Sequence, residues 1–209
     1  MNRPFRIGYV VLAVADTLLA ARSDDAAARA RRVTKPLLMP ALMAGRSGAT
    51  RRALALSGAG DVALLGKTDA AFTAGLGAFL AGQLAWVKAL RARRGPHAGL
   101  LARHPVVAVP YVAAAVGLNA YLWRKALARK AAADAAKDLA PVAVYSAALT
   151  AMALAAADTG EPLTAAGGAL FLASDGLIAL ERFGGVSLPA HDAWVMGTYT
   201  AAQGLLARE

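Results

Sequence analysis

Apolar residues form long stretches along this chain, and arginine and lysine occur in short clusters between them. A transmembrane helix needs about 20 apolar residues, because a rise of about 1.5 Å per residue must cross a hydrocarbon core of about 30 Å. The pattern predicts an all-α, multi-pass integral membrane protein, in the cell membrane if the source is bacterial. About eight transmembrane helices are expected in one bundle, and residues 1–209 then form a single domain. The predicted spans are residues 5–21, 33–45, 52–66, 70–90, 105–123, 139–157, 162–180 and 190–207.

The second and third spans are short and interrupted. Pro36 and Pro40 lie in the second, and Gly58, Gly60 and Asp61 in the third. A tilted, kinked or re-entrant pair could replace two straight helices there, since broken backbone at membrane depth is tolerated when protein buries it. Residues 22–32 are predicted as a loop, and residues 124–138 as a helical extension at the interface. Basic residues divide almost evenly between the two sides, so the orientation stays open.

Composition supports a membrane protein. Hydrophobic residues make up 58% of the chain and charged residues 17%, whereas a soluble domain carries about 25% charge. The absence of cysteine excludes thiolate catalysis and cysteine-ligated metals. The net charge of +10 is spread over loops, where it suits anionic lipid headgroups. Membrane lipids are therefore expected partners and nucleic acid is not, while the oligomeric state is left open.

Three aspartates fall inside predicted spans, namely Asp16, Asp61 and Asp175. A charged side chain in hydrocarbon costs at least about 2.5–3.5 kcal/mol, so such residues usually have a partner or a function. If the spans alternate in direction, each lies roughly 15–20 Å from the start of its span. Lys35, Tyr145 and Asn119 reach the same level. The sequence thus predicts a polar pocket in one half of the bilayer, with a purely structural polar core as the alternative.

Two aspartates in a poorly hydrated pocket can act as an acid and base pair, with Lys35 as a counter-charge for one of them. The three histidines, His97, His104 and His191, fall in loops or at span ends. Neither a metal site nor a serine triad is therefore expected. The segment 58–63 loosely fits a dinucleotide-binding pattern, but that pattern needs a preceding strand. No cofactor is predicted, and the glycines are interpreted as allowing a neighbouring backbone to approach Asp61.

Short motifs in a fixed order resemble the YhhN family of polytopic membrane proteins, which includes the animal lysoplasmalogenases. They run from about residue 33 to the C-terminus. They are Thr34-Lys35-Pro36, Gly60-Asp61, Leu64-Leu65, Phe72, Gly75, Ala78-Phe79, Pro141-Val142, Tyr145, Met152, Gly168-Ala169, Phe171, Ser174-Asp175, Phe183, Tyr199 and Ala202-Gln203. Family members commonly carry a histidine and an aromatic residue after the Phe72 to Phe79 stretch, where this chain has Gln83 and Trp86. Glutamine cannot titrate, so proton transfer through that position is not expected here.

The resemblance implies an eight-helix membrane hydrolase that cleaves the vinyl ether bond of lysoplasmalogens into a fatty aldehyde and a glycerophospho-headgroup. It implies that Asp61 and Asp175 are the catalytic pair, and that the substrate is a lysophospholipid or another ether lipid. The expected substrate-binding residues are Lys35, Gln83, Asn119, Tyr145, Ser174, Tyr199 and Gln203. Two other classes stay open: a proton-coupled transporter, because intramembrane aspartates are common in transporters, and a non-catalytic lipid-binding protein.

Overall fold

The computed structural model describes residues 3–46, 48–66, 68–94, 96, 99–129 and 131–208. These residues form helices and connecting turns, with no strand among them. The helices are α1 (Arg3–Ala20), α2 (Asp25–Met43), α3 (Gly48–Ala63), α4 (Asp69–Arg94), α5 (Leu100–Arg103), α6 (Val109–Leu127), α7 (Ala132–Asp158), α8 (Pro162–Ala179) and α9 (His191–Leu206). A 3₁₀ turn (Pro105–Ala108) precedes α6, and a π-helical turn (Leu180–Gly184) follows α8.

Seven of the helices form a closed ring. In order around it are α1, α2, α3, α4, α7, α8 and α9, and α9 packs back against α1. Large apolar side chains without solvent exposure fill the interior, among them Leu54, Trp86, Met152 and Phe171. The remaining long helix, α6, packs mainly on α7 and has little contact with α8. The ring therefore defines an interior, and α6 stands outside it.

Among the described residues, four helical segments are long and apolar enough to cross a membrane. They are Asp69–Arg94, Pro105–Leu127, Ala132–Asp158 and Pro162–Gly184. In α1 the apolar part, Ile7–Ala20, is shorter. The prediction of helices is confirmed over the described residues, and these four segments are candidate transmembrane helices by length and composition.

The predicted loop at residues 22–32 is wrong, because α2 already begins at Asp25. The Asp24 carboxylate caps this helix by accepting a hydrogen bond from the Ala27 amide at 2.9 Å, which satisfies one of the free N–H groups of the first turn. Pro36 and Pro40 both lie within the helix without ending it. Lys35 consequently lies in the middle of α2 rather than at its start. The helical extension predicted for residues 124–138 holds on both sides of a short break, between the end of α6 and the start of α7.

The glycines of α3 make room for side chains of the neighbouring helices. A Cβ at Gly60 would lie 2.5 Å from the ring of Phe79, and one at Gly58 would lie 3.0 Å from the Cβ of Met39. The helix is continuous through both glycines, so no dinucleotide-binding turn exists there. The predicted close approach beside Asp61 is present at Gly60, which lies against the Phe79 ring and whose carbonyl oxygen would lie 3.5 Å from a Cβ at Gly75 of α4.

Candidate active site

A cavity of about 80 Å³ lies among α2, α3, α4, α7, α8 and α9. Asp61 and Asp175 both line it, and Lys35 reaches it from α2. Charges in such a mostly apolar, enclosed space are poorly screened and interact strongly. The remaining lining residues are Leu64, Phe72, Leu76, Phe79, Val142, Tyr145, Ser174, Ile178, Ala179, Phe183, Val195, Met196 and Tyr199.

Asp61 is buried near the end of α3, with 2% of its surface exposed. One carboxylate oxygen lies 3.7 Å from Nζ of Lys35. The other accepts a hydrogen bond from the Tyr199 hydroxyl at 2.7 Å. The Tyr199 ring is fixed by edge contacts with Phe79 and Phe171. Residues of α2, α3 and α9 thus hold this carboxyl group at the cavity wall.

Asp175 lies on α8 and is partly exposed. It accepts a hydrogen bond from the hydroxyl of Tyr145 on α7. No lysine or arginine among the described residues lies within ion-pair distance of it. The two aspartates therefore have different surroundings, because Lys35 compensates a charge on Asp61 and no basic residue does so for Asp175. A carboxyl group beside an ammonium group keeps its negative charge more readily than one surrounded by neutral groups.

Each of the two aspartates has a hydrogen-bonding arrangement of the same kind. Nε2 of Gln203 donates to the Tyr199 hydroxyl at 3.2 Å, and Nε2 of Gln83 donates to the Tyr145 hydroxyl at 3.3 Å. Each carboxyl group is thereby joined to a tyrosine and then to a glutamine. The glutamines do not line the cavity. Their position indicates that they orient the tyrosines rather than contact a ligand in the cavity.

Two further predicted substrate-binding residues take different places. Ser174 lines the cavity, but its hydroxyl donates to the Val195 carbonyl oxygen at 3.1 Å and links α8 to α9. Asn119 lies on α6, outside the ring, and its side-chain amide donates to the Ala115 carbonyl oxygen and the Ser146 hydroxyl, both at 2.8 Å. The structure does not bring Asn119 to the cavity that holds the aspartates.

Asp16, the third aspartate in a predicted span, has its own partners. It is fully buried on α1 and accepts a hydrogen bond from the Thr34 hydroxyl at 2.5 Å. Nε of Arg31 lies 3.6 Å from its other oxygen. Arg31 was missed by sequence reasoning because it fell in the predicted loop at residues 22–32. Asp16 does not line the cavity, and its contacts join α1 to α2.

The edge of the cavity carries a cation that sequence reasoning also missed. The Arg182 guanidinium lies 3.8 Å from the centre of the Phe72 ring and 2.7 Å from the Asp69 carboxylate. Phe72 and Phe183, which both line the cavity, pack edge to face with 6.2 Å between ring centres. Arg182 lies in the π-helical turn after α8, and such turns are frequent at functional sites. A basic residue followed by phenylalanine, two turns after Asp175, was the available signal.

Neither of the two histidines that the structure describes lines the cavity. His191 begins α9 and lies 3.5 Å from the Glu181 carboxylate, and His104 lies at the turn before Pro105. His97 lies outside the described residues. Within the part of the chain that the structure describes, no group of three or more histidine, aspartate or glutamate residues could hold a metal ion.

Comparison with known proteins gives one match. No curated protein and no solved structure matches the chain. Residues 30–209, most of the chain, match the YhhN family. This range includes every residue described above at the cavity, and it confirms the resemblance seen in the sequence. The chain belongs to the YhhN family.

Proposed function

We propose that this protein is an integral membrane hydrolase of the lysoplasmalogenase type, which cleaves the vinyl ether bond of a single-chain ether lipid. The observation that carries the proposal is that two aspartates in unequal charge environments line one small cavity inside a helical membrane protein. Membership in the YhhN family is consistent with this activity.

The proposed reaction begins with proton transfer from Asp175 to a carbon. Vinyl ether hydrolysis requires a proton on the alkene carbon farther from the ether oxygen, and this produces an oxocarbenium ion. Asp175 is assigned as the acid because no basic residue described in the structure compensates its charge. A positioned acid of this kind typically contributes 10²–10⁴-fold to a rate.

Asp61 is assigned as the anion that stabilises the oxocarbenium ion and takes a proton from water. Lys35 keeps Asp61 ionised through their 3.7 Å contact. Water adds to the carbon that carries the ether oxygen, and the resulting hemiacetal breaks its bond to the glycerol oxygen. As this bond breaks, the proton that Asp61 took from water passes to the glycerol oxygen, and Asp175 takes the hydroxyl proton of the hemiacetal. Both aspartates thereby return to their starting states, and the products are a fatty aldehyde and a glycerophospho-headgroup. An anion already in place at the developing positive charge needs no reorganisation during the reaction.

The headgroup of the substrate carries a phosphate, and two basic residues are suitably placed to bind it. Lys35 lines the cavity, and Arg182 stacks on the cavity residue Phe72. Arginine binds phosphate through two parallel hydrogen bonds. We propose Arg182 as the main phosphate contact, because its ion pair with Asp69 is exposed and can be exchanged for a phosphate, whereas the contact of Lys35 with Asp61 is buried.

The proposal includes eight membrane crossings, made by α1, α2, α3, α4, α6, α7, α8 and α9. Short connections make successive helices run in opposite directions. Asp61 and Asp175 then share the half of the bilayer away from the N-terminus, because each lies near the end of a helix that starts on the N-terminal side. The substrate would enter from the leaflet on that side.

The test is aldehyde release from an alkenyl-glycerophosphocholine by the purified protein in detergent. We expect Asp61→Asn and Asp175→Asn each to lower kcat/KM by about 10²–10⁴-fold, because each removes a proton-transferring or charge-stabilising group. Asp134→Asn, the same change at an exposed site on α7, is the matched control and should keep wild-type activity.

Folding of the variants is checked by size-exclusion profile and melting temperature. A folded wild-type protein that releases no aldehyde contradicts the proposed activity. Proton-coupled flux in liposomes would then support a transporter, and lipid binding without turnover or flux would support a binding protein.

A further inference from the structure

A second, larger space lies between α6, α7 and α8, on the other side of Tyr145 and Asp175. It is a groove of about 680 Å³, within the range of about 300–1,000 Å³ common for small-molecule sites. It exists because α6 packs on α7 and has little contact with α8. Tyr145, Asp175, Val142 and Ala179 line both the groove and the cavity of the two aspartates. The groove and the cavity therefore meet at the hydrogen-bonded pair of Tyr145 and Asp175.

The groove is lined almost entirely by apolar side chains. The side-chain amide of Asn119, which lines the groove, donates hydrogen bonds to the Ser146 hydroxyl and the Ala115 carbonyl oxygen. Satisfied polar groups of this kind do not demand a polar ligand. Small residues, including Ala169 and Ala173 of α8, keep the groove wide and are themselves exposed in it.

The length of the groove matches one lipid chain. It extends along α6 from Pro110 to Leu122, which is about 18 Å at about 1.5 Å per residue. One leaflet contributes about half of a hydrocarbon core of about 30 Å. A lipid hydrocarbon chain that spans one leaflet is therefore about as long as the groove.

We propose that this groove binds the single hydrocarbon chain of the lysolipid substrate, with the vinyl ether bond at Asp175 and the chain extending along α8 towards Ala169 and Tyr111. This inference rests on the proposed function for the identity of the bond. It also predicts a preference for single-chain lipids, because the adjoining cavity of about 80 Å³ has no room for a second chain.

The partial exposure of Asp175 supports this arrangement. Asp61 is buried, with 2% of its surface exposed, whereas Asp175 is partly exposed and lines the groove as well as the cavity. An acid that must protonate a carbon at the start of a chain has to reach the space where the chain lies. Asp175 meets this requirement. Asp61 does not, because it lines only the cavity and not the groove.

The first test is chain-length selectivity. Ala169→Trp fills the groove about one and a half helical turns from Asp175. We expect it to lower the ratio of hexadecenyl to octenyl substrate turnover by about tenfold or more, since misfit in an apolar pocket discriminates on this scale. Ala113→Trp, at an exposed alanine of α6 that does not line the groove, is the matched control and should keep the wild-type ratio. An unchanged ratio in Ala169→Trp overturns the inference about the groove. The proposed function is judged separately, by whether the wild-type protein releases aldehyde.

The second test does not depend on turnover. Lysophosphatidylcholine with a diazirine at the end of its chain is photolysed with the wild-type protein, and labelled peptides are identified by mass spectrometry. We expect labels near Pro110–Ala114 and Ala165–Ala169, competed by unmodified lysophosphatidylcholine. Such labelling without aldehyde release would support the chain groove and contradict the proposed reaction. Labelling confined to other lipid-facing helices overturns the inference. An unlabelled groove in a dimeric protein overturns it as well, and would indicate that a second copy of the chain covers this face.

Discussion

The two aspartates are each held by a tyrosine whose hydroxyl oxygen accepts a hydrogen bond from a glutamine. The two arrangements differ in their charge, since Lys35 lies beside Asp61 and no described lysine or arginine pairs with Asp175. At the scale of single residues, this difference decides the assignment of acid and anion. It also makes Lys35 the most informative position to change.

Lys35→Met is expected to destabilise the protein, because removal of one partner of a buried ion pair leaves an uncompensated charge. The expected loss is about 3–5 kcal/mol, measured as a lower melting temperature in detergent. Aldehyde release should also fall. The double variant Lys35→Met with Asp61→Asn should regain stability but not activity, because it removes both charges together with the catalytic anion.

The control for this change is Lys137→Met, at an exposed lysine of α7, which should leave both stability and activity unchanged. Equal melting temperatures for Lys35→Met and the wild type would show that Lys35 does not compensate the charge of Asp61.

At the scale of elements, the contact between α3 and α4 places Asp61. Gly60 lies against the Phe79 ring, and that ring packs on Tyr199, the hydrogen-bond donor to Asp61. A side chain at position 60 therefore cannot be added without moving a residue that orients the carboxyl group.

Gly60→Ala is expected to lower stability by about 1–3 kcal/mol through overpacking, since its Cβ would lie 2.5 Å from Phe79. Turnover by the folded fraction should fall as well. Gly77→Ala on α4, where a Cβ meets nothing within 4 Å, is the matched control and should be neutral or gain up to about 1 kcal/mol from helix propensity. If both variants behave alike in melting and turnover, the close packing of α3 on α4 does not position Asp61.

At the scale of the whole molecule, Arg93 joins three helices at the far end from the cavity. From the last turn of α4 it donates to the carbonyl oxygen of Leu206 in α9 at 2.7 Å. It also donates to Glu161 and Thr164 at the start of α8, at 3.1 and 3.2 Å. Its planar group holds five N–H donors in a fixed fork, whereas lysine has three donors on one freely rotating nitrogen.

Arg93→Gln is expected to lower the free energy of unfolding by about 1–3 kcal/mol, because buried acceptors lose their donor. Turnover per folded molecule should stay at the wild-type value, since Arg93 lines neither the cavity nor the groove. Arg91→Gln, at an exposed position in the same turn, is the control for the loss of a charge. A loss of turnover without a loss of stability would contradict a purely structural role for Arg93.

Eight crossings would place both ends of the chain on the same side of the membrane. Tags fused to the N-terminus and to the C-terminus should therefore show the same accessibility to a protease or to a membrane-impermeant label in sealed vesicles. Opposite accessibility of the two tags would mean an odd number of crossings.

The sequence alone determined the helical class, the apolar segments and three aspartates within them, of which the family resemblance singled out Asp61 and Asp175. These features are visible because apolar stretches are read directly from neighbouring residues and a charge in hydrocarbon is costly, so Asp16, Asp61 and Asp175 are conspicuous within such stretches. The same reasoning was wrong at residues 22–32, because the charged residues there lie on a helix capped by Asp24 and were interpreted as a loop.

Only the tertiary structure decided which groups meet. Lys35 pairs with Asp61, Arg31 with Asp16, and Asn119 bonds to Ser146 away from the cavity. The position of α6 outside the ring, and with it the groove beside Asp175, has no signal in the sequence either. The physical reason is that the order and rotation of helices depend on contacts between segments far apart in the chain, whereas burial and helix formation depend mainly on residues close together in it.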